Sequence, residues 1–348
     1  MIPQITAVVC TFNGERRVPC VLQALAAQST LDQGLLEVVV VDNASTDDTA
    51  RAAAASWQGP QDRLVVVREP KRGLSHARTR GFSEARAGIV GFIDDDNIPA
   101  PDWAQCALEV MKAHPRVGAC GGLNEAELTT EAPPWFSRFS ALYAVGSQGP
   151  AEGGDVTDSR EFLWGAGLCV RRAAWEGLRT AGFSPMLLDR ASDSASSGGD
   201  TELCLALRLA GWRLWYEPRL RLKHRIAEAR LPWPSLCLLS RGDGASSIFL
   251  DPYHFALSGS TVGRRRQLGS SWWWRTLAAL RNVTQQRLAT ITSLPSTRQG
   301  DSRVLAANWE WGRASALLRS RGAYAEGFER VAQLKARLDY SVPIPRSG

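Results

Sequence analysis

Long apolar runs are absent from this chain of 348 residues, and no basic segment followed by an apolar stretch opens it. A helix that crosses a bilayer needs about 20 apolar residues in succession, and a secretory signal needs both of those parts. We therefore expect a cytoplasmic protein, with any membrane contact peripheral and at the inner face of the cytoplasmic membrane.

Patterns that form disulfides or bind zinc are also missing. The seven cysteines are odd in number and form no Cys-x-x-Cys pair, and the four histidines lie far apart and form no His-Glu-x-x-His motif. Such cysteine usage is typical of buried free thiols in a reducing compartment. It argues against a disulfide framework, a zinc cluster and zinc-dependent hydrolysis.

Acidic residues are scarce in the last part of the chain. Residues 1–212 carry 19 basic and 26 acidic side chains, whereas residues 213–348 carry 22 and 9, within a net charge of +6. Nucleic acid, an anionic membrane or an anionic substrate would each explain this basic region, and the sign of the charge does not choose among them. We expect no nucleic-acid partner, because no pattern of a nucleic-acid-binding module is present.

The first hundred residues alternate between strand and helix patterns. Strands are predicted at Ile5–Cys10, Leu35–Val41, Leu64–Val67 and Ile89–Ile93. Because such uniformly apolar strands need cover on both faces, they predict an α/β fold with a mainly parallel sheet in three α/β/α layers. Ligands bind beyond the carboxyl ends of such strands, so we expect Asp42 and Asp94–Asp96, which follow two of them, to share one crevice.

The pattern is less regular after residue 96 and changes character at about residue 231. Strands are predicted at 117–122, 212–216 and 219–224, helices at 102–113 and 200–209, and irregular segments at 124–159 and 184–199. The change in composition predicts a first domain of residues 1–230 and a basic, Trp-rich helical C-terminal region of residues 231–348. Helices in that region are predicted at 272–291, 304–320 and 324–338.

The C-terminal region brings arginines and tryptophans together. Arg264–Arg266 precede Trp272–Trp274, and further arginines alternate with apolar residues up to about residue 291. Basic and aromatic side chains at helical spacing favour insertion at an anionic membrane interface. A helix that packs an apolar stripe on the first domain gives the same pattern, so both interpretations stay open.

Three consecutive carboxylates, Asp94, Asp95 and Asp96, follow the fourth predicted strand. Adjacent carboxylates repel one another unless a cation or hydrogen-bond donors compensate them, and Mg²⁺ or Mn²⁺ bound with a diphosphate prefers such oxygen ligands. The cluster therefore predicts a metal site. The alternative is a solvated turn in which an aspartate caps the following helix.

Four blocks of the sequence, in matching order and spacing, resemble those of the family 2 glycosyltransferases. They are residues 6–28 with the turn Thr11-Phe12-Asn13, residues 37–49, residues 73–81, and Asp94-Asp95-Asp96, which stands where the family has its DxD motif. The resemblance implies the GT-A fold, inverting transfer from a UDP-, GDP- or dTDP-linked sugar, and Mg²⁺ or Mn²⁺ as cofactor. We expect a glycan or lipid-linked acceptor, and the arginines and tryptophans of the C-terminal region favour a role in polysaccharide biosynthesis at the cytoplasmic membrane face.

The resemblance assigns roles on the donor side. It implies that the nucleobase and ribose are bound by Thr11, Phe12, Asn13, Glu15 and Asp42. It implies that Arg78, Asp94 and Asp95 contribute to the rest of the donor site. The metal would be held by Asp96, with Asp94 and His224 nearby.

On the acceptor side, the resemblance makes Asp200 the base that takes the proton of the acceptor hydroxyl. Gly199 departs from the family, which usually has an acid there, and Glu202 is an alternative base or acceptor-binding residue. Trp164 and Gly165 would form the acceptor floor. An aspartate at the start of a helix is also a common N-cap, and a tryptophan is also a common core residue.

Two other functions compete with glycosyl transfer. A metal-dependent nucleotidyltransferase also carries carboxylates at strand ends, but it would bind a nucleoside triphosphate and would lack the Asp200 block. A degenerate, non-catalytic glycan-binding module would have little need to keep Asp42, Asp94, Asp96 and Asp200 together. Both alternatives are weaker interpretations of the same residues.

Overall fold

The computed structural model describes residues 2–189, 197–258, 271–291 and 299–341, in which all nine strands join one mixed sheet. The strands are β1 (Ile5–Thr11), β2 (Leu36–Asp42), β3 (Leu64–Arg68), β4 (Ile89–Asp94), β5 (Asn97–Pro99), β6 (Val117–Leu128), β7 (Gly154–Asp155), β8 (Cys169–Arg171) and β9 (Arg213–Ile226). Their order is β3-β2-β1-β4-β8-β6-β9-β5, and β7 pairs with β9. Strands β1 to β4 are mutually parallel, as the sequence predicts.

The helices lie between and after these strands in the sequence. They are α1 (Val18–Ala26), α2 (Ser29–Asp32), α3 (Thr49–Ser56), α4 (Leu74–Glu84), α5 (Trp103–Ala113), α6 (Phe136–Phe139), α7 (Arg172–Thr180), α8 (Gly199–Leu209), α9 (Trp233–Ser247), α10 (Asp251–Leu257), α11 (Trp272–Ile291), α12 (Ser302–Arg319) and α13 (Arg321–Ser341). Short 3-10 helices occur at Gln61–Arg63, Ser140–Tyr143 and Glu228–Arg230.

Two apolar cores lie on opposite faces of the sheet. Alternate residues of β1 point to each: Val8 belongs to the core covered by α4, α7 and α8, and Val9 to the core covered by α1, α3 and α5. Every residue of β1 and β2 is buried, which is why these strands read as unbroken apolar runs. The expected three-layer α/β/α arrangement is confirmed.

The register of the central strands sets the position of the acidic residues. Strand β1 lies between β2 and β4, so that Thr11 faces Asp42 on one side and Cys10 faces Asp94 on the other. The carboxyl ends of three parallel strands therefore meet at one edge of the sheet.

Two sequence predictions about the later strands are wrong. The segments 212–216 and 219–224 form the single strand β9, and β6 continues to Leu128 into the segment predicted to be irregular. The two strands pair in parallel with a register shift between Gly122 and Asn124, opposite the stretch of β9 that contains Pro218. This irregularity lets β9 continue past a proline, which otherwise disrupts a central strand.

The C-terminal helices pack against the first domain. Val331, Leu334 and Leu338 of α13 and Tyr253 of α10 belong to the same buried core as Leu203 of α8. Helices α9 and α10 were not predicted from the sequence. Within the described residues, no helix is both long and apolar enough to cross a membrane.

Features expected to contact a membrane are described only in part. Arg264–Arg266 lie outside the described residues. Trp272 packs in a small core with Ile248 and Tyr324, whereas Trp273 and Trp274 of α11 are 49% and 48% exposed. The helix therefore packs one tryptophan inward and leaves two at the surface.

All seven cysteines are free thiols, as the sequence predicts. Five of them are buried, and Cys20 and Cys237 are partly exposed. Burial raises the pKa of Cys10 and of Cys204 to about 12, so both thiols stay protonated near neutral pH.

Candidate active site

The loops that follow β1 and β2 are joined by hydrogen bonds. The backbone N–H of Asn13 donates to Ser45 Oγ at 2.9 Å, and the N–H of Thr46 donates to Asn13 Oδ1 at 2.9 Å. Asn13 has a φ of 48°, a left-handed conformation that asparagine tolerates well. Asp42 Oδ1 accepts from the N–H of Ser45 at 3.0 Å, and Asp42 is only 6% exposed. Asn13 and Asp42 therefore hold the loops that follow β1 and β2 in place at this edge of the sheet.

The remaining residues of the expected nucleobase pocket lie in the same loops. Phe12 lies under the guanidinium of Arg72, 4.3 Å from the ring centroid. The N–H of Glu15 donates to Asp47 Oδ2 at 3.3 Å, which joins the β1 loop to the β2 loop again. The Phe12 ring with the exposed Arg72 guanidinium beside it is suited to binding a flat, electron-rich base. Arg72 was not predicted from the sequence.

The three consecutive aspartates have different surroundings. Asp95 forms an ion pair with Arg17, with N–O distances of 3.0 and 2.9 Å, and accepts from Thr11 Oγ1 at 2.6 Å. These contacts tie the β1 loop to the end of β4 and occupy Asp95, so the structure does not favour its expected role in donor binding. Asp94 lines a cavity, and Asp96 approaches His224.

Asp96 and His224 meet because β5 pairs with β9, which sets Asn97 opposite His224. Asp96 Oδ2 lies 3.6 Å from His224 Nε2, and Asp96 Oδ1 accepts from Asn97 Nδ2 at 3.0 Å. His224 is buried, and its Nδ1 has no hydrogen-bond partner in the described part of the chain. A buried ring nitrogen left in this way is suited to a ligand or a water molecule.

These residues fit a metal that is bound mainly through its substrate. Among the described residues, no group of three or more His, Cys, Asp or Glu side chains is arranged to hold a metal ion. Asp96 and His224 are the candidate ligands that the structure brings together. Mg²⁺ is commonly held in this way, by one or two carboxylates together with substrate phosphates and water.

A cavity of about 490 Å³ lies beside this pair, at the carboxyl edge of the sheet. Six of the residues expected from the sequence line it: Arg78, Asp94, Trp164, Gly165, Asp200 and His224. They come from the separate segments that carry α4, β4, the turn before β8, α8 and β9. The fold thus brings together residues up to 146 positions apart in the sequence.

Arg78 is the cationic centre of the cavity. Burial lowers its pKa, but the carboxylates of Asp94, Asp200 and Asp189 raise it more, so the net shift is upward. Its guanidinium also lies 5.5 Å from the ring centroid of Phe92, and its Nε has no hydrogen-bond partner in the described residues. This fixed positive charge, surrounded by carboxylates, is suited to a diphosphate or a developing negative charge.

Asp200 is held by backbone donors at the start of α8. Its Oδ2 accepts from the N–H of Gly165 at 2.6 Å, and its Oδ1 accepts from the N–H of Thr201 at 2.8 Å. Gly165 allows this close approach, because a Cβ there would lie 2.4 Å from Arg78 Nη2 and 3.1 Å from Asp200 Oδ2 and would force these side chains to move.

Trp164 lines the cavity but is largely a packed residue. Trp164 is 8% exposed, and its backbone N–H donates to Gln148 Oε1 at 2.7 Å. The guanidinium carbon of Arg160 lies 4.6 Å from the centroid of the Trp164 ring. The guanidinium occupies space near the ring that a sugar would otherwise use. Trp164 is therefore both a packed core residue and part of the cavity wall.

Glu202 does not reach the cavity, so its expected role as a base or acceptor-binding residue is wrong. Its side chain is fully buried and accepts from the N–H groups of Met186 and Leu187 and from the hydroxyl of Tyr253. Burial raises its pKa, whereas these hydrogen bonds oppose that shift. Glu202 lies two residues after Asp200 on α8, and its hydrogen bonds hold the loop that precedes this helix.

Several residues of the cavity were missed by sequence reasoning. They are Tyr143, Asp189, Arg230, Asp243, His254 and Trp309, the last three from the C-terminal helices. Burial raises the pKa of Asp189 to about 7 and that of Asp243 to about 6. No local sequence signal marks them, because their position depends on the packing of distant helices.

Comparisons with known proteins agree with this architecture. Residues 6–166 match the model of glycosyl transferase family 2. The chain is 23% identical over 251 residues to a glucosyl-dolichyl phosphate glucuronosyltransferase of Haloferax volcanii, which covers 71% of this chain and 77% of that protein. It is 32% identical over 136 residues to the succinoglycan biosynthesis protein ExoO of Rhizobium meliloti, 39% of this chain and 38% of that protein.

A solved structure shows the same fold. The mannosyltransferase of Pyrobaculum calidifontis, solved in complex with GDP-Man and Mn²⁺, aligns over 99% of this chain and 89% of its own, with a TM-score of 0.53 and 20% identity. The match extends beyond the first domain into the C-terminal helices. Residues 6–166 are therefore similar to the family 2 glycosyltransferases, and the chain has the GT-A fold.

Proposed function

We propose that the cavity is the reaction site of an inverting transfer from a nucleoside diphosphate sugar, with Asp200 as the base. The observation that carries this proposal is the convergence of Arg78, Asp94, Asp200 and His224 from four separate segments at the carboxyl edge of the sheet. The match of residues 6–166 to a glycosyltransferase family favours glycosyl transfer over nucleotidyl transfer.

The donor binds across the loops that follow β1, β2 and β4. Its base lies at the loop of Phe12 and Asn13, and its diphosphate lies toward Arg78 and Asp94. Asp96 and His224 would hold Mg²⁺ or Mn²⁺, which when bound would stabilise negative charge on the leaving diphosphate. The GDP-Man and Mn²⁺ in the Pyrobaculum structure support a donor of this class.

The chemistry on the acceptor side depends on Asp200. The acceptor hydroxyl gives its proton to Asp200 as its oxygen bonds to the anomeric carbon, while the bond from that carbon to the nucleoside diphosphate breaks. Attack opposite the leaving group inverts the anomeric centre. The N–H of Gly165, which donates to Asp200 Oδ2, fixes the direction in which the carboxylate points.

The acceptor is a glycan or a lipid-linked sugar that enters between the first domain and the C-terminal helices. Trp164 forms one wall of the cavity, while Asp243 and Trp309 form another. The Haloferax relative is named for a lipid-linked acceptor, a glucosyl-dolichyl phosphate. An acceptor of that type agrees with a role in polysaccharide or glycoconjugate assembly.

A thermal-shift panel tests the donor site. UDP, GDP, CDP and dTDP are each measured with and without Mn²⁺ or Mg²⁺, and we expect a metal-dependent rise in melting temperature with one of them. Asp96→Ala should abolish that rise. Asp62→Ala is the control, because Asp62 is 77% exposed and precedes β3, at the opposite edge of the sheet. Full retention of the shift by Asp96→Ala would refute the metal assignment.

The reaction itself is tested with the donor that this panel selects. The anomeric configuration of the product, read by proton NMR, should be opposite to that of the donor sugar. Asp200→Asn should lower kcat by at least about 100-fold, because a general base typically contributes 10²–10⁴-fold. A product that retains the donor configuration would contradict the inverting mechanism.

We also propose that α11 makes a peripheral contact with anionic membranes. Trp273 and Trp274 leave about half of their surface exposed on this helix, beside Arg275 and Arg281. Flotation of the full chain with vesicles of phosphatidylglycerol should decrease for Trp273→Ser/Trp274→Ser. The control Ile2→Ser changes an exposed apolar residue at the other end of the sequence, and equal flotation of the two variants would contradict the contact.

A further inference from the structure

The carboxylate of Asp189 lines the cavity, and the proposed transfer assigns it no role. Asp189 is 4% exposed and lines the cavity together with Asp200 and Arg78. Its Oδ2 accepts from the N–H of Gly199 at 2.8 Å, whereas its Oδ1 has no hydrogen-bond partner in the described part of the chain. A buried carboxylate oxygen without a partner costs free energy, so it calls for a ligand.

The backbone holds Asp189 in a strained conformation. Its φ is 37°, a left-handed value that is unfavourable for most residues other than glycine. Its carbonyl accepts from the N–H of Leu74 at 2.9 Å, and the hydroxyl of Ser75 donates to the carbonyl of Leu187. These bonds fasten the segment to the start of α4, the helix that carries Arg78. Strain of this kind persists at functional sites because the surroundings fix it.

Gly199 is the residue that makes room for this carboxylate. A Cβ at position 199 would lie 2.5 Å from Asp189 Oδ2 and 3.2 Å from Asp189 Cγ, so no side chain at 199 is compatible with Asp189 as it stands. Aspartate at 189 and glycine at 199 therefore form a matched pair. The carboxyl group next to Asp200 comes from the preceding loop instead of from the first residue of α8.

We propose that Asp189 is an acceptor-binding residue, whose Oδ1 binds a hydroxyl of the acceptor sugar while Asp200 deprotonates the attacking hydroxyl. This assignment rests on the proposed transfer reaction. Two carboxyl groups that line the cavity together with Arg78 fix the orientation of a polyhydroxylated acceptor. Asp189 thus contributes to acceptor specificity and contributes little to donor binding.

Kinetic comparison of transfer and hydrolysis tests the proposal. GDP-mannose, UDP-glucose and UDP-N-acetylglucosamine with Mn²⁺ are the donors, methyl glycosides of the same sugars are the acceptors, and water is the acceptor in the hydrolysis reaction. Asp189→Asn should raise the acceptor KM about 10-fold or more, as expected for a lost hydrogen bond to a charged group. Donor hydrolysis should fall much less than transfer, a split that a merely structural role would not produce.

A double substitution that moves the carboxylate from residue 189 to residue 199 should restore transfer. A glutamate at 199 has its carboxyl carbon two bonds beyond Cβ, which reaches toward the space where Asp189 Cγ now lies. Asp189→Gly should impair transfer, Asp189→Gly/Gly199→Glu should restore most of it, and Gly199→Glu alone should impair it, because two carboxylates would then compete for one space. Glycine also relieves the left-handed strain at 189.

The outcomes separate the two claims. Transfer by Asp189→Asn with wild-type KM for the acceptor would overturn the assignment of Asp189 alone, and so would a double variant that is no better than Asp189→Gly. A wild-type protein that neither binds a nucleoside diphosphate nor makes a glycoside would overturn the proposed function and, with it, this assignment.

Discussion

Replacing Asp189 by asparagine should stabilise the protein, and the gain should grow with pH. Burial, reinforced by the negative charge of Asp200 and opposed by Arg78, raises the pKa of Asp189 from its ordinary value of 3.8 to about 7. Between these two values the folded protein holds a proton that the unfolded chain has released. The free energy of unfolding therefore falls as pH rises through this window, and the loss is complete above the folded pKa.

The magnitude follows from the size of the shift. Relative to an ordinary aspartate, Asp189 costs about 2 kcal/mol at pH 5 and about 4 kcal/mol at pH 8. Asparagine keeps an oxygen that accepts from the N–H of Gly199 and carries no charge, so it avoids this cost. The difference in free energy of unfolding between Asp189→Asn and wild type should then increase by about 2–3 kcal/mol from pH 5 to pH 8.

Urea unfolding at pH 5, 6, 7 and 8, followed by tryptophan fluorescence, measures this difference. Asp62→Asn is the matched control, since the side chain of Asp62 is 77% exposed and should show no comparable change with pH. A stability difference for Asp189→Asn that stays constant across this range would mean that Asp189 titrates like a solvated aspartate. The electrostatic picture of the cavity would then be refuted.

Three further substitutions test the site and its supports. Gly165→Ala should lower transfer at least about 100-fold, as read by kcat, because the added methyl group would collide with the Arg78 guanidinium. Tyr253→Phe should lower the free energy of unfolding by about 1–2 kcal/mol in urea, since it removes the hydroxyl that donates to the buried Glu202. Glu37→Gln should cost about 2–3 kcal/mol in the same assay, because this buried carboxylate accepts from three donors.

Sequence reasoning predicted the half of the site that is built from consecutive elements. Short apolar strands alternating with helices fix a parallel sheet, and the parallel sheet brings Asp42 and Asp94 to either side of the end of β1. The detailed roles could not be read from the strand ends alone. Asp95 has the same side chain as Asp94 and Asp96, and only the structure shows that it forms an ion pair with Arg17.

The other half depends on contacts between distant segments. Glu202 lies two residues after Asp200, and only the packing of α10 shows that it points away from the cavity toward Tyr253. Asp243 comes from a helix that sequence periodicity did not predict, because the buried face of α9 continues after Trp233 and Leu236 with the small residues Ser240, Gly244 and Ser246. A periodic apolar stripe is the signal on which such predictions depend, and it is missing there.

The C-terminal helices contribute Asp243, His254 and Trp309 to the lining of the cavity. Tyr253 donates to the buried Glu202, and Arg330 donates to the carbonyl of Ser184, so two C-terminal helices hold the segment that leads to Asp189. Cutting the chain near residue 230 would expose that carboxylate and remove one wall of the cavity. Loss of transfer in such a truncated protein would therefore report loss of the site itself, and membrane contact is better tested by substitutions on the surface of α11.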